Sequence, residues 1–141
     1  MISYFQYKLL LRKIAKHEEE LEKNKPPNTQ EAHESGEVQC YIQESDNLYE
    51  WRRLVQTEYY RKIADRLLVQ MPSTEDEAMY EQVDWDNDHR QPRYLTDKGF
   101  KTIRDAISEE RKHRREAVGY WFGIATGIIG ALTGLVSAFK G

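Results

Sequence analysis

The chain has 141 residues, of which 32% are charged and 39% hydrophobic, with a mean hydropathy of −0.84. This length has room for one small polar domain and excludes a two-domain enzyme. Its 21 basic and 24 acidic residues leave a formal net charge of −3, so we expect no nucleic-acid partner. The single cysteine, Cys40, cannot form an internal disulfide, which favours a reducing compartment.

Sequence motifs of the common enzyme classes do not occur in this chain. It contains no G-x-S-x-G, P-loop, H-E-x-x-H or C-x-x-C sequence. A chain dominated by thin helices also leaves little room for a pocket. We therefore predict a protein that is not an enzyme and has no cofactor, no metal site and no small-molecule substrate.

The N-terminal segment predicts an amphipathic helix. Apolar residues recur at helical spacing between Ile2 and Leu21, with basic residues between them. The helix should stop near Asn24, because two prolines follow. Residues 28–39 are polar and are predicted to be a linker or a frayed helix. The segment lacks the basic start and the cleavage site of a signal peptide.

A second helix is predicted from about Tyr41 to Gln70. Its apolar residues step by three or four positions and end before a Met-Pro pair. We expect this stripe to pack against the first helix, so that residues 1–72 form an antiparallel helical hairpin. The predicted seam consists of Leu48, Trp51, Val55, Tyr59, Ile63 and Leu67.

Residues 73–95 are predicted to be an acidic linker. Acidic side chains are frequent there, and the segment shows no sustained period. Asp84, Asp86 and Asp88 have the spacing of the first ligands of a calcium-binding loop. A histidine and a leucine stand where that loop needs Gly and Glu, so we predict no calcium site.

Residues 96–117 are predicted to be a charged stalk helix. Thr96 is placed to cap this helix, and Asp97 suits the positive end of its dipole. Three apolar residues then follow at helical spacing, and the sequence SEERKHRREA closes the stalk. No proline interrupts the chain from Thr96 to Phe139, so one continuous helix is expected.

Residues 118–139 carry no charged side chain and predict one transmembrane helix. At about 1.5 Å per residue this stretch spans roughly 33 Å, enough to cross the hydrocarbon core of a bilayer. A buried hairpin of a soluble protein is the alternative, but a small domain offers too few other apolar residues to wrap it. Basic residues precede the span, which predicts a cytoplasmic N-terminal part. The predicted membrane-interface residues are Arg111, Lys112, Arg114, Arg115, Tyr120 and Trp121.

Small residues follow one side of the predicted transmembrane helix. Gly119, Gly123 and Gly127 form two overlapping G-x-x-x-G motifs, and Gly130 with Gly134 forms a third. Such rows let helix backbones approach closely in lipid, which predicts self-association or docking to another helix. The alternative is that glycine is common in transmembrane helices and this row packs against nothing.

The sequence around the last helix resembles two groups of proteins. Residues 94–99, YLTDKG, resemble the L-T-x-K-G entry to the last helix of winged-helix DNA-binding proteins, but no recognition helix and wing are predicted before them. The stretch LTDKGFKTIRDAISEERKHRRE, followed by a span containing GALTGL, is similar to small bacterial membrane proteins of uncharacterised function. This second resemblance covers about residues 41–139. It implies a bacterial inner membrane and a helical hairpin before the anchor, and it implies no activity.

The sequence therefore predicts an all-α membrane protein, with a cytoplasmic antiparallel helical hairpin and one long C-terminal helix that ends in a single transmembrane span. The expected partners are the lipid bilayer and either further copies of the chain or another membrane protein. The predicted function is that of a non-catalytic, self-associating or partner-docking helical module. A pore-forming or membrane-perturbing effector is the alternative, although the span shows no polar stripe to line a wet pore.

Overall fold

The computed structural model describes residues 2–85 and 90–139. Within these residues the chain is mostly helical, at 74%, and a long apolar helix closes it. The elements in chain order are α1 (Tyr4–Lys23), α2 (Gln30–Glu34), α3 (Glu37–Leu67), β1 (Tyr80–Gln82), β2 (Arg93–Leu95) and α4 (Asp97–Phe139).

Local sequence signals explain where α1 begins and ends. The Ser3 hydroxyl accepts a hydrogen bond from the Gln6 backbone N–H, and the Gln6 side chain accepts one from the Ser3 N–H. This reciprocal pair is a capping box. At the other end, the Asn24 side chain donates to the Glu20 carbonyl, immediately before the proline-containing turn. The helix therefore ends where the sequence predicts.

The polar segment after α1 contains a helix of its own. Thr29 caps α2, because its hydroxyl accepts a hydrogen bond from the Ala32 N–H. Gly36 connects α2 to α3 with a φ of +81°, a left-handed conformation that glycine adopts at little cost. α3 then begins at Glu37, slightly before the predicted start.

Contacts between α1 and α3 run in opposite chain directions. Moving towards the C-terminal end of α3, its partners lie progressively nearer the start of α1. The contacting pairs are Tyr41 with Glu22, Arg52 with Glu18, Tyr59 with Tyr7, and Lys62 with the Ile2 carbonyl. This order means that α1 and α3 lie antiparallel to each other.

The segment between α3 and α4 is not the linker that the sequence predicts, and the fold is not all-α. β1 and β2 pair antiparallel, with Tyr80 opposite Leu95. The prediction was wrong because each strand is three residues long, too short to reveal a two-residue period, and acidic residues surround the apolar ones. The side chains from this segment that are buried are Tyr80, Val83, Tyr94 and Leu95.

Parts of the acidic segment fall outside the described residues. Asp86, Asp88 and His89 are among the residues that the structure does not describe. The spacing that resembles a calcium-binding loop therefore lies partly outside the described residues.

The first turns of α4 belong to the protein core. Phe100, Ile103 and Ile107 are buried together with Ala64 of α3 and Leu95 of β2. Each Å² of apolar surface removed from water on folding stabilises the protein by about 25 cal/mol. Only the part of α4 after Ile107 is an exposed stalk, which is therefore shorter than the predicted 96–117.

α3 and α4 lie side by side and point in the same direction. The Arg53 guanidinium, from the middle of α3, forms an ion pair with Asp97 at the start of α4. Near the end of α3, the Arg114 guanidinium donates a hydrogen bond of 2.8 Å to the Leu67 carbonyl. The C-terminal end of α3 is therefore held next to the stalk that precedes the apolar part of α4.

Two threonines connect the small sheet to the long helices. The buried Thr57 hydroxyl of α3 accepts a hydrogen bond from the Leu95 N–H at 2.9 Å. The Thr96 hydroxyl accepts from the Gly99 N–H at 3.1 Å and donates to the Ala78 carbonyl at 2.7 Å. Thr96 thus caps α4 as predicted, and it also fixes the chain that leads into β1.

The predicted seam of α3 divides between several partners instead of facing α1 alone. Tyr59 stacks on α1, whereas Ile63 and Leu67 pack against the buried cluster around α4. Trp51 lines an apolar pocket of about 310 Å³ with Leu48 and Trp85, and Val55 is buried. The stripe divides because α3 packs against α1, β2 and α4 at once.

Candidate functional site

The second half of α4 is an exposed apolar helix. From Arg111 to Phe139 every residue is exposed, including Trp121 at 68%, Phe122 at 73% and Ile129 at 64%. Among the described residues, α4 is the one helix long and apolar enough to cross a membrane. An uncovered apolar surface of this size is unusual for a soluble monomer and is typical of a segment that meets lipid or another protein. The helix could therefore span a bilayer.

The five glycines of the span share one side of α4. At about 100° per residue they fall within an arc of roughly 80°. A β-carbon added at any of the five would meet no atom within 4 Å, so this side of the helix is open. The open side consists of the predicted packing residues Gly119, Gly123, Gly127, Gly130 and Gly134.

Hydroxyl groups of the span bond to their own helix. Thr126 donates to the Phe122 carbonyl and Thr133 to the Ile129 carbonyl, each at 2.8 Å. A hydroxyl that bonds the carbonyl four residues earlier is satisfied within the helix. These two side chains therefore do not form a free polar stripe along the span.

Aromatic and basic side chains lie where the uncharged part of α4 begins, and they include the predicted membrane-interface residues. Tyr120 and Trp121 are both 68% exposed and pack edge to face, with ring centroids 6.2 Å apart. Amphipathic rings of this kind favour the headgroup layer. The predicted basic residues at this end, Arg111, Lys112, Arg114 and Arg115, are also exposed.

An open cleft of about 730 Å³ lies between α3 and α4, directly before the span. We call it the basic cleft. One wall is formed by aromatic and apolar side chains and the other by the arginine-rich side of the stalk. The residues that line it are Tyr59, Tyr60, Ile63, Arg104, Ile107, Ser108, Arg111, Arg114 and Arg115.

The aromatic wall of the basic cleft is held in place by α1 and by the start of α4. Tyr59 stacks on Tyr7 with ring centroids 3.9 Å apart and an interplanar angle of 4°. Tyr60 packs edge to face on Phe100 at 5.6 Å. Burial raises the pKa of the Tyr7 phenol above its ordinary value.

Arginines and carboxylates of the stalk lie on different sides of the helix. Arg104, Arg111 and Arg115 lie within about 20° of Arg104 around the helix, facing the cleft, whereas the carboxylates of the stalk lie about 100° or more away. Within the described parts of the chain, no carboxylate is within ion-pair distance of these three arginines. The cleft is therefore positive although the stalk as a whole has mixed charge.

Arg114 is the one arginine of the cleft that has partners in the described chain. It donates to a Glu110 carboxylate oxygen at 2.7 Å and to the Leu67 carbonyl at 2.8 Å. These two bonds orient its guanidinium at the end of α3. The positive charge at the C-terminal end of the cleft is thus partly preorganised.

Sequence reasoning placed Arg111, Arg114 and Arg115 at the interface but missed the cleft. Arg104, Ser108 and Tyr60 were not among the predicted site residues, and Tyr59 was predicted as part of the hairpin seam and not of a cleft. The available signal was the spacing of positions 104, 108, 111 and 115, which places them on one side of a helix. The opposite wall depends on α3 lying parallel to α4, a tertiary relation that no local pattern specifies.

Comparison with family models, curated proteins and solved structures finds no match to this chain.

Proposed function

We propose that this protein is a single-pass, membrane-anchored helical module with no catalytic activity, which associates with further copies of itself or docks to another membrane helix. The observation that carries this proposal is the exposed, uncharged part of α4, continuous with a folded polar unit. In lipid a helix satisfies its own backbone groups, so this segment suits a bilayer.

The proposed setting is a bacterial inner membrane with the N-terminal part in the cytoplasm. The resemblance of residues 41–139 to small bacterial membrane proteins supports the first part. The basic residues before the span, Arg111 to Arg115, support the second, because cytoplasmic flanks are enriched in Lys and Arg. In this setting the hairpin of α1 and α3 would present its outer surfaces to the cytoplasm.

Self-association is supported by the open small-residue side of the span. In a bilayer, close van der Waals packing between helices replaces hydrophobic burial as the driving force. Five glycines within one arc give the closest backbone approach on that side. The threonine hydroxyls bond within the helix, which favours a packed interface over a water-lined pore.

The oligomeric mass of the full chain in lipid nanodiscs tests this proposal. We expect the wild type to form a defined oligomer. The variant with Gly123, Gly127, Gly130 and Gly134 changed to Leu should be monomeric, because four bulky side chains would separate the backbones. Ala125→Leu adds bulk on the opposite side of the helix and should leave the mass unchanged.

Two results would contradict self-association through a packed, dry interface on the glycine side. Monomers in both the wild type and the leucine variant would mean that the glycine side is not an interface between copies. Release of a trapped dye from vesicles by the wild type, and not by the leucine variant, would instead support the pore-forming alternative.

A further inference from the structure

The basic cleft lies immediately before the apolar part of α4 that is proposed to cross the bilayer. Along the axis of α4, Arg111, Arg114 and Arg115 lie roughly 4–10 Å before Val118, where the apolar span begins. The headgroup layer of one leaflet is about 6 Å thick beyond the hydrocarbon core. In a chain anchored by α4, Arg114 and Arg115 lie at the depth of this layer, and Arg111 lies about 4 Å beyond it, a distance that a long arginine side chain spans.

We propose that the basic cleft binds the headgroup of an anionic phospholipid, with its phosphate held by Arg111, Arg114 and Arg115. This inference rests on the proposed membrane anchor and adds a specific ligand site to it. It differs from general attraction between a basic collar and a charged surface, because only the residues between α3 and α4 take part.

The chemistry of the cleft matches a phosphodiester with net negative charge. Guanidinium groups form forked hydrogen bonds to phosphate oxygens, and these are stronger than neutral hydrogen bonds. Arg111 and Arg115 have no carboxylate partner among the described residues, so their charge is available to a ligand. A zwitterionic lipid also carries a phosphate, but the arginines would repel its quaternary ammonium group.

The other wall of the cleft suits the rest of the headgroup. Tyr59, Tyr60 and Ser108 present hydroxyl groups, which can bond to headgroup hydroxyls or ester oxygens. Ile63 and Ile107 add apolar surface beside them. Arg104 lies about 21 Å before the span and extends the positive field of the cleft away from the membrane.

Selective lipid retention tests the proposal in the full chain. The protein is placed in nanodiscs of equimolar phosphatidylcholine and phosphatidylglycerol, and the lipids that remain bound after release are quantified by native mass spectrometry. We expect enrichment of phosphatidylglycerol on the wild type. Arg111→Gln should reduce this enrichment about fivefold and the pair Arg111→Gln with Arg115→Gln about 25-fold, because each substitution removes one set of charge-assisted hydrogen bonds to the phosphate.

Lys112→Gln is the matched control. Lys112 has the same charge and nearly the same depth as Arg111, but it does not line the cleft. If the cleft recognises the lipid, the loss of Lys112 should change the enrichment less than about twofold, because this side chain lies outside the cleft and beside the Glu116 carboxylate. An equal loss for Arg111→Gln and Lys112→Gln would mean general surface attraction and would overturn the proposal.

Two further measurements distinguish a lipid from a free phosphate compound, and distinguish failure of the lipid site from failure of the membrane anchor. Displacement of phosphatidylglycerol by an equal concentration of soluble glycerol phosphate would assign the cleft to a free phosphate compound and overturn the lipid assignment. Protein that co-elutes with nanodiscs without enrichment contradicts the cleft alone. Protein that does not co-elute contradicts the membrane anchor, and with it the lipid-bound cleft.

Discussion

Gly99→Ala is expected to lower the free energy of unfolding of the polar domain by about 3 kcal/mol, because it overpacks a rigid site. A β-carbon at this position would lie 2.3 Å from the Met79 carbonyl oxygen and 2.8 Å from Leu95 Cδ2. The Met79 carbonyl cannot move freely, since it accepts a hydrogen bond from the Thr96 N–H. Relief of the clash would separate α4 from the chain leading into β1.

Urea unfolding of the full chain in detergent micelles, followed by tryptophan fluorescence, measures this effect. Gly119→Ala is the control, because its β-carbon would meet nothing within 4 Å and alanine favours a helix. We expect the control to keep the wild-type midpoint. Equal midpoints for wild type and Gly99→Ala would show that α4 and the sheet do not pack as described.

Two arginines in the middle of the span should prevent stable membrane insertion. Ile128 and Leu132 are exposed residues near the centre of the apolar segment, on the side away from the glycines. An arginine at the centre of a transmembrane helix costs about 2.5–3.5 kcal/mol on insertion scales. The double variant Ile128→Arg with Leu132→Arg should therefore move the protein from the carbonate-resistant membrane fraction to the soluble or aggregated fraction.

Ile128→Leu with Leu132→Ile is the matched control for insertion. It changes the same two positions and keeps their hydrophobicity, so the protein should remain in the membrane fraction. Retention of the double-arginine variant in that fraction at the wild-type level would mean that another part of the chain holds the protein at the membrane.

The long helix could be predicted from the sequence because its signals are local. Thr96 and Asp97 mark its start, no proline follows, and the uncharged run to Phe139 sets its apolar part. The structure confirms a helix over Asp97–Phe139 with Thr96 as its cap. The end of α1 before the proline pair could be predicted for the same reason.

The small sheet could not be predicted because its signals are non-local. β1 and β2 are three residues each, and the residues that pair them are separated by an acidic segment. Leu95 and Tyr80 become core residues only when they meet α3 and α4. β2 contains Tyr94 and Leu95, the first two residues of the YLTDKG sequence.

The basic cleft could not be predicted either, because its two walls come from different helices, α3 and α4. Arg104 and Arg111 share a side of α4 that sequence spacing alone reveals, but their facing residue Tyr60 is defined by the parallel packing of α3. The chain between these two parallel helices contains the small sheet. A prediction that treated residues 73–95 as a linker therefore could not place the two walls of the cleft together.

Site-specific labelling of single cysteines tests most directly whether α4 crosses the membrane. Cys40 is exposed and is the single natural cysteine, so Cys40→Ser gives a background for Ile128→Cys. In inverted inner-membrane vesicles, we predict that a membrane-impermeant maleimide labels Cys40 in the wild type. The Ile128→Cys variant in the Cys40→Ser background should be labelled only after detergent is added. Labelling of the introduced cysteine in intact vesicles as fast as Cys40 would contradict a membrane-spanning α4.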